Sequence, residues 1–180
     1  AGSWSGNLQR VRIVNQENTA SPWTYKPLGD WSPSLVLDTA RPIMSMPAVA
    51  VDSSKNRWLM VGSGRFLVQG DLTDFSSQRF YGVKEPRDHD SGGAFTWGTA
   101  SGLLDVSNVE VYQNSEAVSG LSGSLSPGSP CAPNGTTTVD TFAELECYLR
   151  QYQLESDYQG GWYQNFATGA RSIGEAAVLA

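Results

Sequence analysis

Short apolar runs bounded by Pro, Asp or Gly recur along this chain and predict strands. "NLQRVRIV" near the start places Leu8, Val11 and Ile13 on one face, with a slip of register near Arg10. "SLVLDT", "MPAVAVD", "RWLMVGSG" and "QRFYGV" have the length and punctuation of strands packed in a sheet. "LLDVSNVEVY" continues the series, with Val109 and Val111 on one face. Trp58, Phe66, Phe80 and Tyr81 lie on strand patterns and are expected in the interior.

One segment has the helical period instead. In "TVDTFAELECYLRQYQ", Thr141 followed three residues later by Glu144 fits a capping box. Phe142, Leu145, Leu149 and Tyr152 then share a face, which predicts a short helix over about 141–153. Cys147 sits about 140° around from Phe142, off that stripe, where a free thiol gains little from packing. Cys131 lies sixteen residues earlier, in "SPGSPCAPNG", and the pair lacks the C-x-x-C spacing of zinc or thioredoxin sites. A Cys131–Cys147 disulfide stapling loop to helix is the leading reading; two unpaired thiols are the alternative. A disulfide would place the chain in an oxidising compartment. Residues 113–133, rich in Ser, Gly and Pro, read as an exposed loop.

The expected fold is therefore mainly β, with antiparallel sheets and one disulfide-stapled helix, in a single domain over 1–180. Composition agrees: nineteen Gly, nine Pro, six Trp and seven Tyr in 180 residues favour turns and strands over long helices. Twelve Lys and Arg against eighteen Asp and Glu give a net charge of −6, which disfavours nucleic acid and anionic membranes as partners. No apolar run approaches the roughly 20 residues of a transmembrane helix. The sequence as given opens without a basic and apolar leader, so an export signal is expected to have been removed or to lie outside it.

Candidate chemistry is sparse. "DSSKNRWLMVGSGRF" carries Gly62 and Gly64, but lacks the Lys and the third Gly that a phosphate loop needs to aim successive amides at an anion. Asp52, Ser54 and Asn56 alternate oxygen ligands as a calcium loop does, yet Arg57 replaces the required glycine and Ser63 the bidentate Glu. A two-strand turn is the better reading, with Asp52 and Asn56 bonding nearby amides and Gly62 and Gly64 supplying positive φ or close strand approach. In "EPRDHDSGG", Glu85, Asp88 and Asp90 offer oxygens to Ca²⁺, against the ordinary reading of a solvated turn. Thr99 twelve positions on is not the Glu of an EF-hand.

His89 is the single histidine, and no G-x-S-x-G elbow accompanies it, so the pattern of a hydrolase is missing. Glu144 and Glu146 read as helix solvation. "NGT" at Asn134 is a glycosylation sequon or a turn. Trp97, Trp162 and Tyr163 are candidates for an aromatic contact surface.

The order of these pieces carries a resemblance. "RPIMSMPAVAVDSSKNRWLMVGSGRFLVQGDLTDFSSQRFYGVKEP" has a Pro-rich entry, a P-A-V strand, a polar turn, a W-x-x-x-G-[ST]-G-[RK] strand, an Asp, and Q-x-[FY]-Y-G-[VI]. With "GNLQRV" before it and "GGWYQNFATGAR" after it, this order resembles the C-terminal propeller of the PilY family, type IV pilus biogenesis factors and tip adhesins. The resemblance spans roughly 1–14, 40–86 and 160–180. It implies a β-propeller-like architecture, export through the periplasm to the cell surface, and a part in pilus assembly or adhesion without turnover. The family's D-x-[DN]-x-D-x-x-x-D calcium loop and its D-x-S-x-S metal site are not matched here, so calcium control does not carry over.

A propeller needs about four or more blades, and a chain of this length supplies two or three at about 40–50 residues each. The chain is accordingly expected to be a fragment of, or partner to, a larger assembly. Its unpaired sheet edges would meet the rest of a propeller, a pilin or minor pilin, or another copy. A secreted carbohydrate- or surface-binding β-domain and a quinoprotein-type propeller enzyme are the competing classes.

Overall fold

The apolar run "RWLMVG" becomes the second strand of the main sheet, and its neighbours in sequence pair on either side of it. The computed structural model describes residues 5–11, 14–15, 24–31, 33–51, 57–84, 103–121, 131, 138–151 and 160–174. Among these, eleven strands and one α-helix occur. The strands are β1 Asn7–Val11, β2 Val14–Asn15, β3 Thr24–Tyr25, β4 Pro33–Asp38, β5 Ala48–Val51, β6 Arg57–Gly62, β7 Arg79–Lys84, β8 Leu104–Asp105, β9 Glu110–Tyr112, β10 Ala117–Ser119 and β11 Gly161–Asn165. The helix, α1, is Phe142–Gln151. The fold is mainly β, as the sequence predicts.

The main sheet has the order β5-β6-β7-β11-β8, and β1–β4, β2–β3 and β9–β10 are separate two-stranded ribbons. Strands β5, β6 and β7 form an antiparallel meander, with Val51 opposite Arg57 at the first turn. That pairing establishes the predicted hairpin, although residues 52–56 that close it lie outside the described residues. The fourth strand comes from far along the chain: β11 adds antiparallel to β7, with Tyr163 opposite Tyr81. The fifth, β8, pairs with β11 in parallel, which departs from the all-antiparallel expectation. One four-stranded antiparallel set is thus present, and no ring of such sets is found among the described residues.

Successive residues of a strand point to opposite faces, so the register sorts the side chains of this sheet. Val61, Tyr81 and Val83 lie on one face and are fully buried. Against them pack Leu8 of β1, Val36 and Leu37 of β4, Ile43 and Leu103, with Leu59 and Tyr163 at the margin. The slip predicted near Arg10 is a break in the β1–β4 register between Leu8 and Gln9. Of the rings expected inside, Tyr81 is fully buried, Trp58 and Phe80 are half-buried, and Phe66 is 53% exposed and lies on no strand.

A second, smaller core gathers Val118, Val139, Leu145 and the disulfide between Cys131 and Cys147. The capping box is formed: Glu144 accepts hydrogen bonds from the Thr141 and Asp140 amides at 3.0 Å, and its own amide donates to Thr141 Oγ1 at 3.2 Å. These bonds, led by the one from Asp140, hold the Glu144 carboxyl below its usual pKa. The buried stripe of α1 is rotated from the predicted one. Leu145, Tyr148 and Leu149 face this core while Phe142 is half exposed.

The predicted loop over 113–133 is structured at its start. Residues 117–119 form β10, Val118 supplies its buried side chain, and the Val118 amide donates to the Asp140 carbonyl at 2.8 Å.

The disulfide closes a loop of sixteen residues over a core too small to hold itself together by burial. Replacing both Cys131 and Cys147 by Ser is expected to lower stability by about 3 kcal/mol in denaturant unfolding. The loss should be largest in hydrogen exchange at Val118 and Leu145. An unchanged midpoint would contradict this role.

Candidate contact surface

The segment after β6, "SGRFLVQGDLTDF", leaves the sheet because its hydrogen bonds are claimed by a side chain. Gly64 has φ +146°, a region that favours glycine, and its amide donates to the Pro42 carbonyl at 2.8 Å. Gly62 lies so close to Ser172 that a Cβ there would fall 2.1 Å from the Ser172 Cβ. Gly64 is thus required by its backbone conformation, and Gly62 by the close approach of Ser172, a residue on no strand. Beyond them the chain turns about Asp71.

Asp71 is fully buried, and its two oxygens are saturated. Oδ2 accepts from the amides of Leu67 at 2.7 Å and Val68 at 3.0 Å, while Oδ1 accepts from Arg65 Nε and pairs with Nη2, both at 2.8 Å. The Asp71 amide in turn donates to the Val68 carbonyl at 2.9 Å, starting the 3₁₀ turn Gln69–Thr73. The bonds from Leu67 and Val68, with a lesser share from Arg65, bring the Asp71 pKa down from 3.8 to about 2 against the opposing effect of burial.

Arg171 closes the loop from outside. Its Nη1 donates to the Arg65 carbonyl at 2.7 Å, its Nη2 to the Asp74 carbonyl, and its guanidinium lies 5.9 Å from the centre of the Phe66 ring. Ser172 continues the attachment, its amide donating to the Ser63 carbonyl at 3.1 Å.

The result inverts the usual order of a surface loop. The carboxylate is inside, and Phe66, Leu67, Val68, Leu72 and Phe75 are each more than half exposed. Ile173, just past the Arg171 clamp, is exposed as well. Single exposed apolar residues are ordinary, but five within ten positions on a braced backbone make this loop the candidate contact surface.

Sequence reasoning missed this surface because it placed Phe66 on a strand pattern facing the interior. The available signal was Asp71 itself, an acid between Gly70 and Leu72 within bonding distance of the preceding amides.

The residues singled out in the sequence are placed differently. Asp52, Asn56, Glu85, Asp88, Asp90 and Trp97 lie outside the described residues. Among the described residues no group of three or more His, Cys, Asp or Glu could hold a metal ion.

Trp162 and Tyr163 are adjacent on β11 and so face opposite sides of the sheet. The Trp162 ring lies over Gly82, where a Cβ would stand 2.4 Å from its Cε2, and near Phe80 with centroids 6.1 Å apart. Tyr163 donates to Asp105 Oδ2 at 3.0 Å, and the Arg79 guanidinium sits 4.1 Å from its ring centre. The two rings are spent on packing and do not form one platform. No helix among the described residues is long and apolar enough to cross a membrane. No family model, curated protein sequence or solved structure matches this chain.

If Asp71 organises the loop, the Leu67 and Val68 amides are protected from hydrogen exchange despite lying on a surface segment. Asp71→Ala is expected to speed their exchange at least tenfold and to open the loop to proteolysis, with the Tyr81 and Val83 amides unaffected. Equal exchange in both proteins would contradict the account.

Proposed function

We propose that this chain is a non-catalytic protein of the cell surface that docks onto other protein subunits through the loop 66–75, in the assembly or adhesive tip of a type IV pilus. The observation that carries the docking role is the buried Asp71, whose bonds fix five large apolar side chains in an outward position. A loop with no partner would gain by turning those groups inward and the carboxylate out. The Cys131–Cys147 disulfide supports an oxidising compartment. The order of motifs from Arg41 to Pro86 supplies the pilus assignment, and pilins or minor pilins are the partners it implies. Trp162 and Tyr163 face opposite sides of the sheet, so the two together offer a sugar no single stacking platform, which favours the docking reading over the carbohydrate-binding one.

A photo-crosslinking residue at Leu72 or Phe75, introduced into the protein on piliated cells, tests both parts. Adducts containing a pilin or minor pilin are expected, together with loss of capture in a Phe66→Ser/Leu72→Ser variant whose melting temperature is unchanged. Adducts confined to other proteins would reject the pilus assignment, and no adduct from either position would reject the docking surface.

A further inference from the structure

The two edges of the main sheet are finished differently. At one edge β8 is two residues long and ends in Asp105, whose carboxylate accepts hydrogen bonds from the Ser107 amide at 2.9 Å and the Tyr163 hydroxyl at 3.0 Å. A very short strand guarded by a charged residue is one of the ordinary ways in which an edge is kept from pairing. At the other edge β5 is left open. Its four residues, Ala48–Val51, carry no charge and no proline, and their register with β6 runs without a bulge. Among the described residues β6 is its one strand neighbour.

The register also shows which way β5 faces. Val49 stands opposite Leu59, and Leu59 opposite Val83, so the three form one row across the core face of the sheet. Val51, opposite Arg57, points to the same face. The layer of β1 and β4 buries Val83 and reaches Leu59, but goes no further: Val49 is 61% and Val51 65% exposed. An apolar row thus runs past its cover and out to an edge whose outward backbone groups are a template for another strand.

We propose that β5 pairs with β5 of a second copy of this chain, antiparallel across a two-fold axis at Ala50. An axis normal to the sheet keeps its faces in common, so core-face side chains meet core-face side chains. Ala50 then meets its own counterpart, and Val49 meets the partner's Val51. The row of Val83, Leu59 and Val49 is continued by that valine, and the symmetric row repeats the contact. Under this axis β5 is its own complement. Valine pairs with valine on one face and alanine with alanine on the other, and no like charges are brought together within the strand pair although the chain as a whole carries −6.

The pairing closes at two copies. A head-to-tail contact of β5 with the far edge would have to use β8, which offers two residues and a charge, so further growth has no template. Main-chain hydrogen bonds supply the attraction and the valine rows fix the register.

Sedimentation equilibrium of the full chain over a wide range of concentration tests the pairing. A reversible monomer–dimer equilibrium with no larger species is expected. Val49→Lys or Val51→Lys, at positions already exposed, should weaken dimerisation about tenfold and leave the fold of the monomer unchanged by circular dichroism. Phe66→Ser/Leu72→Ser should dimerise as the wild type does, which separates this edge from the proposed docking loop. Ala50→Cys, on the axis, should give a covalent dimer with a short bis-maleimide, whereas Ser115→Cys, exposed in the turn between β9 and β10, should not. If a lysine variant misfolds, the cross-link decides. A monomer at every concentration, a dimer that survives both lysine substitutions, or a dimer lost on changing the loop overturns the proposal.

Discussion

A carboxylate taken out of water must collect donors for both oxygens, and that requirement shapes the exposed surface of this protein. Asp71 finds its donors in the backbone only three and four residues before it and in Arg65. The chain between must curl around the acid, and the curl leaves no inward direction for Phe66, Leu67 or Val68. The apolar display is thus a consequence of polar satisfaction, and it needs no apolar contact to hold its shape.

The sheet provides the footing for that loop. Ser63, the last residue before the turn, is tied to β7 through its amide and through its hydroxyl, which donates to Gln78 Oε1 at 3.0 Å and accepts from the Arg79 amide at 2.8 Å. Gly64 is tied to Pro42, and Arg171 and Ser172 seal the other side. Behind it, Val61, Tyr81 and Val83 form a core face with β1 and β4, so the loop rises from the most rigid part of the fold.

Much of the scaffold was legible because its signals are local. The hairpin of β5 and β6 follows from two apolar runs separated by turn-forming residues, and the helix from one capping pair and a 3.6 period. Cys147 was singled out by its position off the apolar stripe, and its bond to Cys131 is present. What escaped depends on partners distant in sequence or on side-chain bonds that composition hides. The parallel pairing of β8 with β11 joins residues almost sixty positions apart. Strand β10 rests on one buried valine within a Ser-rich segment. Phe66, Leu67 and Val68 have the composition of a strand, and only the bonds of their amides to Asp71 reveal that they are not one.

The most direct measurement is the titration of the Asp71 carboxyl carbon by NMR, followed with the Leu67 and Val68 amide protons between about pH 1 and 6. A depressed pKa means that the folded loop gains stability from the charged form. This contribution is complete above the unfolded value near 3.8 and is lost as pH falls through about 2. The account predicts a carboxyl midpoint near 2, with both amide shifts moving on the same curve. A midpoint near 3.8, with amides indifferent to it, would contradict the claim that this one acid holds the surface in place.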